Sequence, residues 1–397
     1  MPCDIGHLCF LPTDGPGSVN RTVGRQIRAL EEFRHVCISF ERNVGRDSWK
    51  GSFYVVGGGQ FGIHRSMLRL LPESFRRRLF GFGEIDHALW LFRAREVLKE
   101  ARPAVIVSHD HYKLGRWLRS WVDWPCRLVF KQHGYAYFNA VPDPYELASF
   151  DAVVFLTRAS YEYNRLHRHS FESSVEIIPN PIDGARFRPA SAEERIAARD
   201  EFGLPPEAVV VTTVARQVPK KGAHILIECW RQVVERYPRA ILWVVGPVTP
   251  ATYEARLRES ARLSGLECKV RFQGAIAPEM APRVLGASDV FIFPSLCHEG
   301  MPLALLQGMS CGLPCISSRW PELEEVMTGL PVEWVEVPND PLHWAEAVMR
   351  TIESLPRGER LARAQWDLVQ ERYGEERTLD RWRRFYRNQI ELVRGAG

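Results

Sequence analysis

The sequence predicts an α/β protein built from two doubly wound, parallel-sheet domains that face each other across a cleft. Three observations carry that expectation. The chain has 397 residues, more than one hydrophobic core usually organises, so about two domains of ordinary size are expected. Short β-branched apolar runs alternate with segments of helical period in both halves, as in parallel strands joined by crossover helices. The stretch Ile177-Ile178-Pro179-Asn180-Pro181-Ile182-Asp183 interrupts the alternation with two prolines and marks the boundary between halves.

In the first half the apolar runs are Ile5 to Leu11, His35 to Phe40, Ala104 to Ser108, Arg127 to Lys131 and Ala152 to Thr157. In the second half the alternation is more regular. Ala208 to Ala215 reads as a strand, and Gly222 to Tyr237 as a helix, with Ile225, Leu226, Cys229, Trp230, Val233 and Val234 at helical spacing. Strands at Ala240 to Gly246, Lys269 to Gln273, Asp289 to Phe293 and Leu313 to Ser317 then alternate with helices at Thr252 to Ser264, Pro278 to Leu285, Pro302 to Met309 and Glu322 to Met327. Open parallel sheets bind ligands outside the carboxyl ends of their strands, and two facing sheets favour a group-transfer enzyme with donor and acceptor on opposite walls.

Composition narrows the function classes. With 45% hydrophobic, 25% charged and 11% aromatic residues the chain reads as a soluble globular protein and not as a disordered, collagen-like or coiled-coil one. A formal net charge of +4 is too small to imply nucleic acid as a partner. Met1 to Gly15 lacks the pattern of a secretory leader, and no run of about 18 apolar residues occurs, so a cytoplasmic chain that does not span a membrane is expected. The nine cysteines are odd in number and scattered, often inside apolar runs, as reduced core thiols are.

Two segments of the second half could carry chemistry. Arg216-Gln217-Val218-Pro219-Lys220-Lys221-Gly222 leads from a strand's carboxyl end into a helix's amino end, where free N–H groups attract phosphate and Arg216 and Lys221 add cationic arms for a diphosphate. Taken alone, an exposed basic turn explains it equally well. The segment Phe291 to Pro314 runs from a strand through Glu299 and Gly300 into a helix that Pro302 opens and Gly312 ends. Gln307, about one and a half turns into that helix, could reach over a ligand at its amino end. Cys297, His298, Cys311 and Cys315 fit no usual zinc spacing and read as buried thiols beside a cleft.

The Phe291 to Pro314 segment resembles the signature of glutamate, seven residues, glutamate found in retaining glycosyltransferases of the GT-B fold, sequence family 4 (glycosyltransferase group 1 type). The resemblance extends continuously from about 176 to 327. Arg216 to Gly222 is similar to the family's phosphate-binding turn, Asn180-Pro181-Ile182-Asp183 with Phe187 to its domain junction, and Val270 to Gly274 and Asp289 to Ser295 to its donor-domain strands. The first half matches more loosely. Asp14-Gly15-Pro16-Gly17-Ser18 resembles the glycine-rich loop near the donor phosphates, with Pro16 interrupting the usual paired glycines, and Phe130-Lys131-Gln132-His133-Gly134 resembles the place of the active-site histidine.

The resemblance implies a GT-B architecture of two Rossmann-like domains, residues 1–175 on the acceptor side and 176–375 binding the nucleotide-sugar donor. A C-terminal helix of about 376–397 would pack back on the first. It also implies transfer of a hexosyl unit from a nucleoside-diphosphate sugar, with retention, to a glycan or lipid-linked hydroxyl. Arg216, Lys221, Gly17 and the backbone around Gly300, Met301 and Leu303 would hold the donor phosphates. Glu299 would contact the transferred sugar, and His133 would hold its far side. Gln307 stands where the family carries its second glutamate. An amide oxygen still accepts hydrogen bonds but loses charge assistance, which motivates a rival reading as a non-catalytic nucleotide-sugar or glycan-binding protein. An isomerase or phosphorylase on the same architecture is a third reading. No Asp-any-Asp triplet occurs, so no cofactor is expected and no metal is required beyond the donor substrate itself.

Two further segments stay open. Ser74 to Phe82, and the stretch with Trp117, Trp121 and Trp124 on one helical face, mix cations with bulky apolar groups. They suit either peripheral contact with the inner face of a membrane, bringing a lipid-linked acceptor, or a core-facing stripe with a solvated Arg face. His109-Asp110-His111 follows a strand and is assigned no catalysis.

Overall fold

The computed structural model describes residues 3–9, 18–39, 55–56, 85–134, 147–168, 173–355 and 359–395. The chain divides into two compact units, Met1–Pro179 with Thr378–Gly397, and Asn180–Arg377.

In the first unit the described strands are β1 (Ile5–Cys9), β2 (His35–Ser39), β3 (Val55–Val56), β4 (Val105–His109), β5 (Arg127–Lys131), β6 (Ala152–Phe155) and β7 (Ser174–Ile177). They form one parallel sheet in the order β3-β2-β1-β4-β5-β6-β7. Its helices are α1 (Ser18–Ala29), α2 (Ile85–Ala101), α3 (Leu114–Arg119) and α4 (Arg158–Arg168). One face of the sheet carries Leu8, Ile106, Leu128, Phe130 and Val153 against Leu91 and Leu98 of α2 and Leu114 and Leu118 of α3. The other face carries Ile5, Val105, Val107, Val129 and Val154 against Leu379, Trp382, Phe385, Tyr386 and Ile390. Those five residues come from the far end of the chain.

In the second unit the strands β8 (Val209–Val214), β9 (Ala240–Val245), β10 (Val270–Gly274), β11 (Val290–Phe293), β12 (Cys315–Ser318) and β13 (Val332–Val335) form a parallel sheet in the order β10-β9-β8-β11-β12-β13. The helices that follow in the chain are α5 (Ala192–Phe202), α6 (Ala223–Arg236), α7 (Ala251–Leu263), α8 (Ala281–Ala287), α9 (Leu303–Ser310), α10 (Pro321–Met327), α11 (Pro341–Ser354), α12 (Glu359–Tyr373) and α13 (Glu375–Gly395), the last belonging to the first unit from Thr378 on. Trp230 of α6, Tyr253 and Leu257 of α7 and Trp344 of α11 cover one sheet face, and Phe202 of α5 and Val284 of α8 cover the other. Full burial of an apolar side chain of this size is worth roughly 2–3 kcal/mol, and Trp230, Trp243 and Trp344 are each 0% exposed.

Both sheets therefore wind outward in two directions, from β1 and from β8. That is the doubly wound class the alternation predicted, and it leaves switch points between β1 and β4 and between β8 and β11. Three short strands, β3, β7 and β13, had no counterpart in the sequence reading. β7 sits at a sheet edge with its residues alternating between exposed and half-buried, so it lacks a continuous apolar run.

Of the two readings of the tryptophan stripe the structure supports the core-facing one, and it corrects only the single helical face. Helix α3 ends at Arg119, so Trp121 and Trp124 lie beyond it, and the chain turns before Pro125, whose ring disfavours helix at the preceding residue. Trp117 and Trp121 meet edge to face at 4.9 Å and pack against the core that buries Trp124, so the stripe faces inward. Ser74 to Phe82 lies outside the described residues.

At the amino end of the second sheet, Asp289 accepts from Arg195 (2.5 Å), from Arg199 (2.6 Å) and from the Val210 N–H (2.7 Å). Arg199 also donates to the carbonyls of Pro206, Ala208 and Ala287. This cluster ties α5 to the starts of β8 and β11. Asp289→Ala leaves the 6% exposed Arg199 without its counter-ion and is expected to cost about 3 kcal/mol of stability, read from the denaturant midpoint of the second unit.

Candidate functional site

The loops that leave β8 and β11 at the switch point lie directly against each other. After β8 the chain makes a single 3-10 turn, Pro219–Lys221, and reaches Gly222 at φ 74° before α6 begins. A side chain there is doubly excluded, because a Cβ would also stand 2.0 Å from the Pro294 carbonyl oxygen. The Leu296 N–H donates to the Lys220 carbonyl at 2.8 Å and stitches the loops together.

This approach brings Lys221 to Glu299. The Lys221 ammonium pairs with Glu299 Oε1, and the Ser295 hydroxyl donates to the same oxygen at 2.5 Å. Both charged side chains are mostly covered, 18% and 17% exposed. Glu299 Oε2 has no partner among the described residues, and the ammonium, a triple donor, faces the Phe293 ring at 5.2 Å with donors to spare. An open carboxylate oxygen beside an open ammonium can take a hydroxyl and an anion side by side.

Glu322, at the start of α10, holds Glu299 in place. It is 0% exposed, accepts the Glu299 backbone N–H at 2.7 Å through Oε1 and bonds His298 Nδ1 at 3.0 Å through Oε2. The His298 ring lies 4.5 Å from Trp320, whose indole N–H donates to the Ser295 carbonyl at 3.0 Å. Sequence reasoning missed Glu322, because a glutamate in a first helical turn usually just meets the helix dipole.

Of the other residues singled out by sequence, Gly300 and Met301 are buried, and the Met301 sulfur accepts the Asn180 N–H at 3.1 Å. Leu303 opens α9, where the Leu305 and Leu306 N–H groups donate to the Pro302 carbonyl and those of Leu303 and Ala304 have no intrahelical partner. Gln307 is half-buried in the same helix, with no side-chain hydrogen bond among the described residues. Arg216 is exposed and has no ion pair there, so the structure brings Lys221 to Glu299 but not Arg216. Gly17 lies outside the described residues. Cys311 and Cys315 are buried thiols whose pKa burial raises, Cys311 to about 12.

His133, in the first unit, stands two residues past β5 and is 6% exposed. Its backbone N–H donates to Asp110 Oδ1 at 2.6 Å, and Asp110 itself adopts φ 62° just after β4. Its ring bonds His109 through Nε2, while the buried Nδ1 has no partner among the described residues. His109, given no role by sequence, is thus part of the same cluster. Burial holds the pKa of both rings well below the ordinary histidine value.

Residues 208–354 match the model of the family "Glycosyl transferases group 1". That stretch of the chain is similar to the group 1 glycosyltransferases. The chain is 32% identical over 193 residues to the GDP-mannose-dependent monoacylated alpha-(1-6)-phosphatidylinositol monomannoside mannosyltransferase of Corynebacterium glutamicum, covering 46% of this chain and 49% of that one. It spans about half the length of that relative and of a plant one. Its fold resembles sucrose-phosphate synthase from Thermosynechococcus elongatus, with a TM-score of 0.79 at 17% identity over 98% of this chain and 100% of that one. Anabaena HepE in complex with UDP gives a TM-score of 0.74 at 17% identity over 97% and 100%. The fold is therefore GT-B.

Replacing Gly222 by Ala forces the two loops apart. Gly222→Ala is expected to destabilise the second unit by roughly 2–4 kcal/mol in equilibrium denaturation, more than a glycine substitution in an open turn costs.

Proposed function

We propose that the chain moves a hexosyl unit from a nucleoside-diphosphate sugar, with retention, to a hydroxyl of a glycan or of a lipid-linked acceptor. The observation that carries this reading is the Lys221–Glu299 pair at the β8/β11 switch point, with one carboxylate oxygen and ammonium donors open beside it. In that reading Lys221 and the Leu303 and Ala304 N–H groups of α9 neutralise charge that develops on the departing diphosphate, a form of transition-state stabilisation that preorganised donors supply well. Arg216, exposed at the same strand end, would join them once an anion is present. Glu299 Oε2 would accept a hydroxyl of the transferred sugar, and His133 would hold another. With retention, the departing phosphate would assist the acceptor hydroxyl on the same face, and no protein base would be needed there.

The names of similar proteins suggest the partners. A phosphatidylinositol mannoside is named for the corynebacterial relative, which supports a lipid-linked acceptor met at a membrane surface by a peripheral protein. No helix among the described residues is long and apolar enough to cross a membrane. GDP-mannose is named for that relative and UDP for the Anabaena structure, so the base stays open between them.

Gln307 motivates the second reading, a protein that binds a nucleotide sugar or glycan without turning it over. Thermal stabilisation by UDP, GDP, ADP, dTDP and their sugar conjugates separates the readings, since a ligand that prefers the native state raises the midpoint. One clear responder followed by transfer supports the enzyme. A responder without turnover on any acceptor supports the binding protein. Lys221→Ala and Glu299→Ala are each expected to lower transfer by roughly a hundredfold or more with the melting midpoint kept near wild type, and full activity in both would remove the site. Gln307→Glu restores a charge-assisted acceptor and is expected to tighten donor binding about tenfold, measured by calorimetry.

A further inference from the structure

Four histidines cross the first sheet in a continuous hydrogen-bonded row: His35, His7, His109 and His133. Register explains how they meet. His35 aligns with Ile5, His7 with Val107, and His109 with Lys131, so each histidine lies two residues further along its strand than the one before. A step of two keeps every side chain on one face of a pleated sheet. The row therefore climbs diagonally from the start of β2 to the residues just past β5. Each ring is almost fully buried, at 3%, 1%, 4% and 6% exposure in that order. Successive ring nitrogens are 3.1, 3.1 and 3.0 Å apart.

The polarity of the row is fixed from one end. His35 Nε2 lies 3.0 Å from the Leu30 carbonyl, which can only accept, so that nitrogen carries the proton. In a neutral ring Nδ1 of His35 must then accept, and His7 Nε2 must donate to it. The same step passes to His109 and then to His133, so all four rings carry hydrogen on Nε2 and a lone pair on Nδ1. The first three lone pairs are used by the next ring. The fourth, on His133 Nδ1, is buried and without a partner among the described residues. Buried polar atoms of this kind are rare in folded proteins and normally have a partner in the working state.

Neutrality of the row has a physical basis. Burial lowers the pKa of His7, His109 and His133 well below the ordinary value and that of His35 to about 4. Lys131 lies on the same face beside His109, with its ammonium 3.2 Å from Gln26 Oε1 and 4.4 Å from the centre of the Trp382 ring, and its charge opposes any added proton.

We propose that His35, His7 and His109 are positioning residues that lock His133 in one tautomer, so that its Nδ1 accepts a hydrogen bond from a carbohydrate hydroxyl and cannot offer an N–H. The activity arm of this proposal rests on the transferase reading above; the tautomer arm does not.

Nitrogen-15 labelling of the histidines in the full chain, read at neutral pH by long-range proton–nitrogen correlation, distinguishes protonated from bare ring nitrogens. The expected spectrum has all four rings protonated at Nε2 and bare at Nδ1. A His133 ring protonated at Nδ1, or present as a mixture, overturns the proposal without any assay. Adding UDP-glucose, GDP-mannose or an acceptor glycan separately shows which source supplies the hydroxyl, by the one that moves the His133 Nδ1 signal. His7→Phe keeps the ring volume but breaks the row. It is expected to leave His109 and His133 as tautomer mixtures and to lower kcat about tenfold, the worth of one hydrogen bond to a ligand, while nucleoside-diphosphate affinity stays within about twofold. A single His133 tautomer surviving in that variant also overturns the proposal. The expected spectrum in a protein that transfers nothing would defeat the transferase reading and leave the row intact, and transfer with the wrong tautomer would do the reverse.

Discussion

The candidate site depends on one close approach, the Gly222 backbone against the Pro294 carbonyl. Only a residue with no Cβ and a left-handed backbone lets the loop after β8 lie on the loop after β11. Lys221 precedes that glycine and Glu299 follows Pro294 by five residues, so their pairing follows from the loop contact. Two strands that are neighbours at a switch point supply two loops free to diverge, and here a missing side chain and the Leu296 to Lys220 hydrogen bond draw them together. Glu322, from the start of α10, then fixes the Glu299 backbone, so the residue that carries the carboxylate keeps its place beside the ammonium. The charge pair is thus held by backbone geometry on one side and by a buried acceptor on the other.

How much of this was legible varies with the kind of signal. The second sheet was readable apart from its last strand, because β8, β9 and β11 are apolar runs buried on both faces and α6 has a clean apolar stripe. Edge strands such as β7 and β13, half-polar and four residues long, do not rise above turn-like noise. Within the site, Lys221 and Glu299 were readable because a strand end, a glycine and a helix start punctuate the sequence around each. Glu322 was not, since nothing local distinguishes it from the ordinary acidic residues of a first turn. The tryptophan stripe was legible as core-facing but not as to its backbone. Helical spacing was extended past the point where Trp124-Pro125 turns the chain, and the indoles followed the core instead of one helix face.

The histidine row was the least legible feature, although each member is plain in the sequence. A histidine in an apolar strand is unremarkable one at a time. His7, His35 and His109 become a set only when the sheet order puts β2, β1, β4 and β5 side by side and the register offsets each by two residues. Sheet order is a property of crossover connections, which sequence spacing does not encode. The signal that could have found it is the recurrence of histidine in three strands that otherwise carry no residue with an ionic charge.

The two units therefore solve different electrostatic problems. In the Asn180–Arg377 unit the site groups are charged, partly exposed and paired, with capacity left over, which suits a ligand that arrives with charge of its own. In the first unit the buried groups around His133 are held neutral, and the nearby Lys131 is pushed by burial down to about 7. A neutral acceptor in a dry environment discriminates by hydrogen-bond polarity: a hydroxyl satisfies it, whereas a carbonyl or a bare anion leaves its lone pair facing another lone pair. Charge recognition tolerates misplacement, because Coulomb attraction falls slowly with distance, but hydrogen-bond recognition does not. The proposed transfer would draw on both kinds, one to stabilise a departing diphosphate and one to hold a sugar hydroxyl. Separating them between two sheets lets each environment keep the dielectric it requires: the charged pair stays near water, and the histidine row stays away from it.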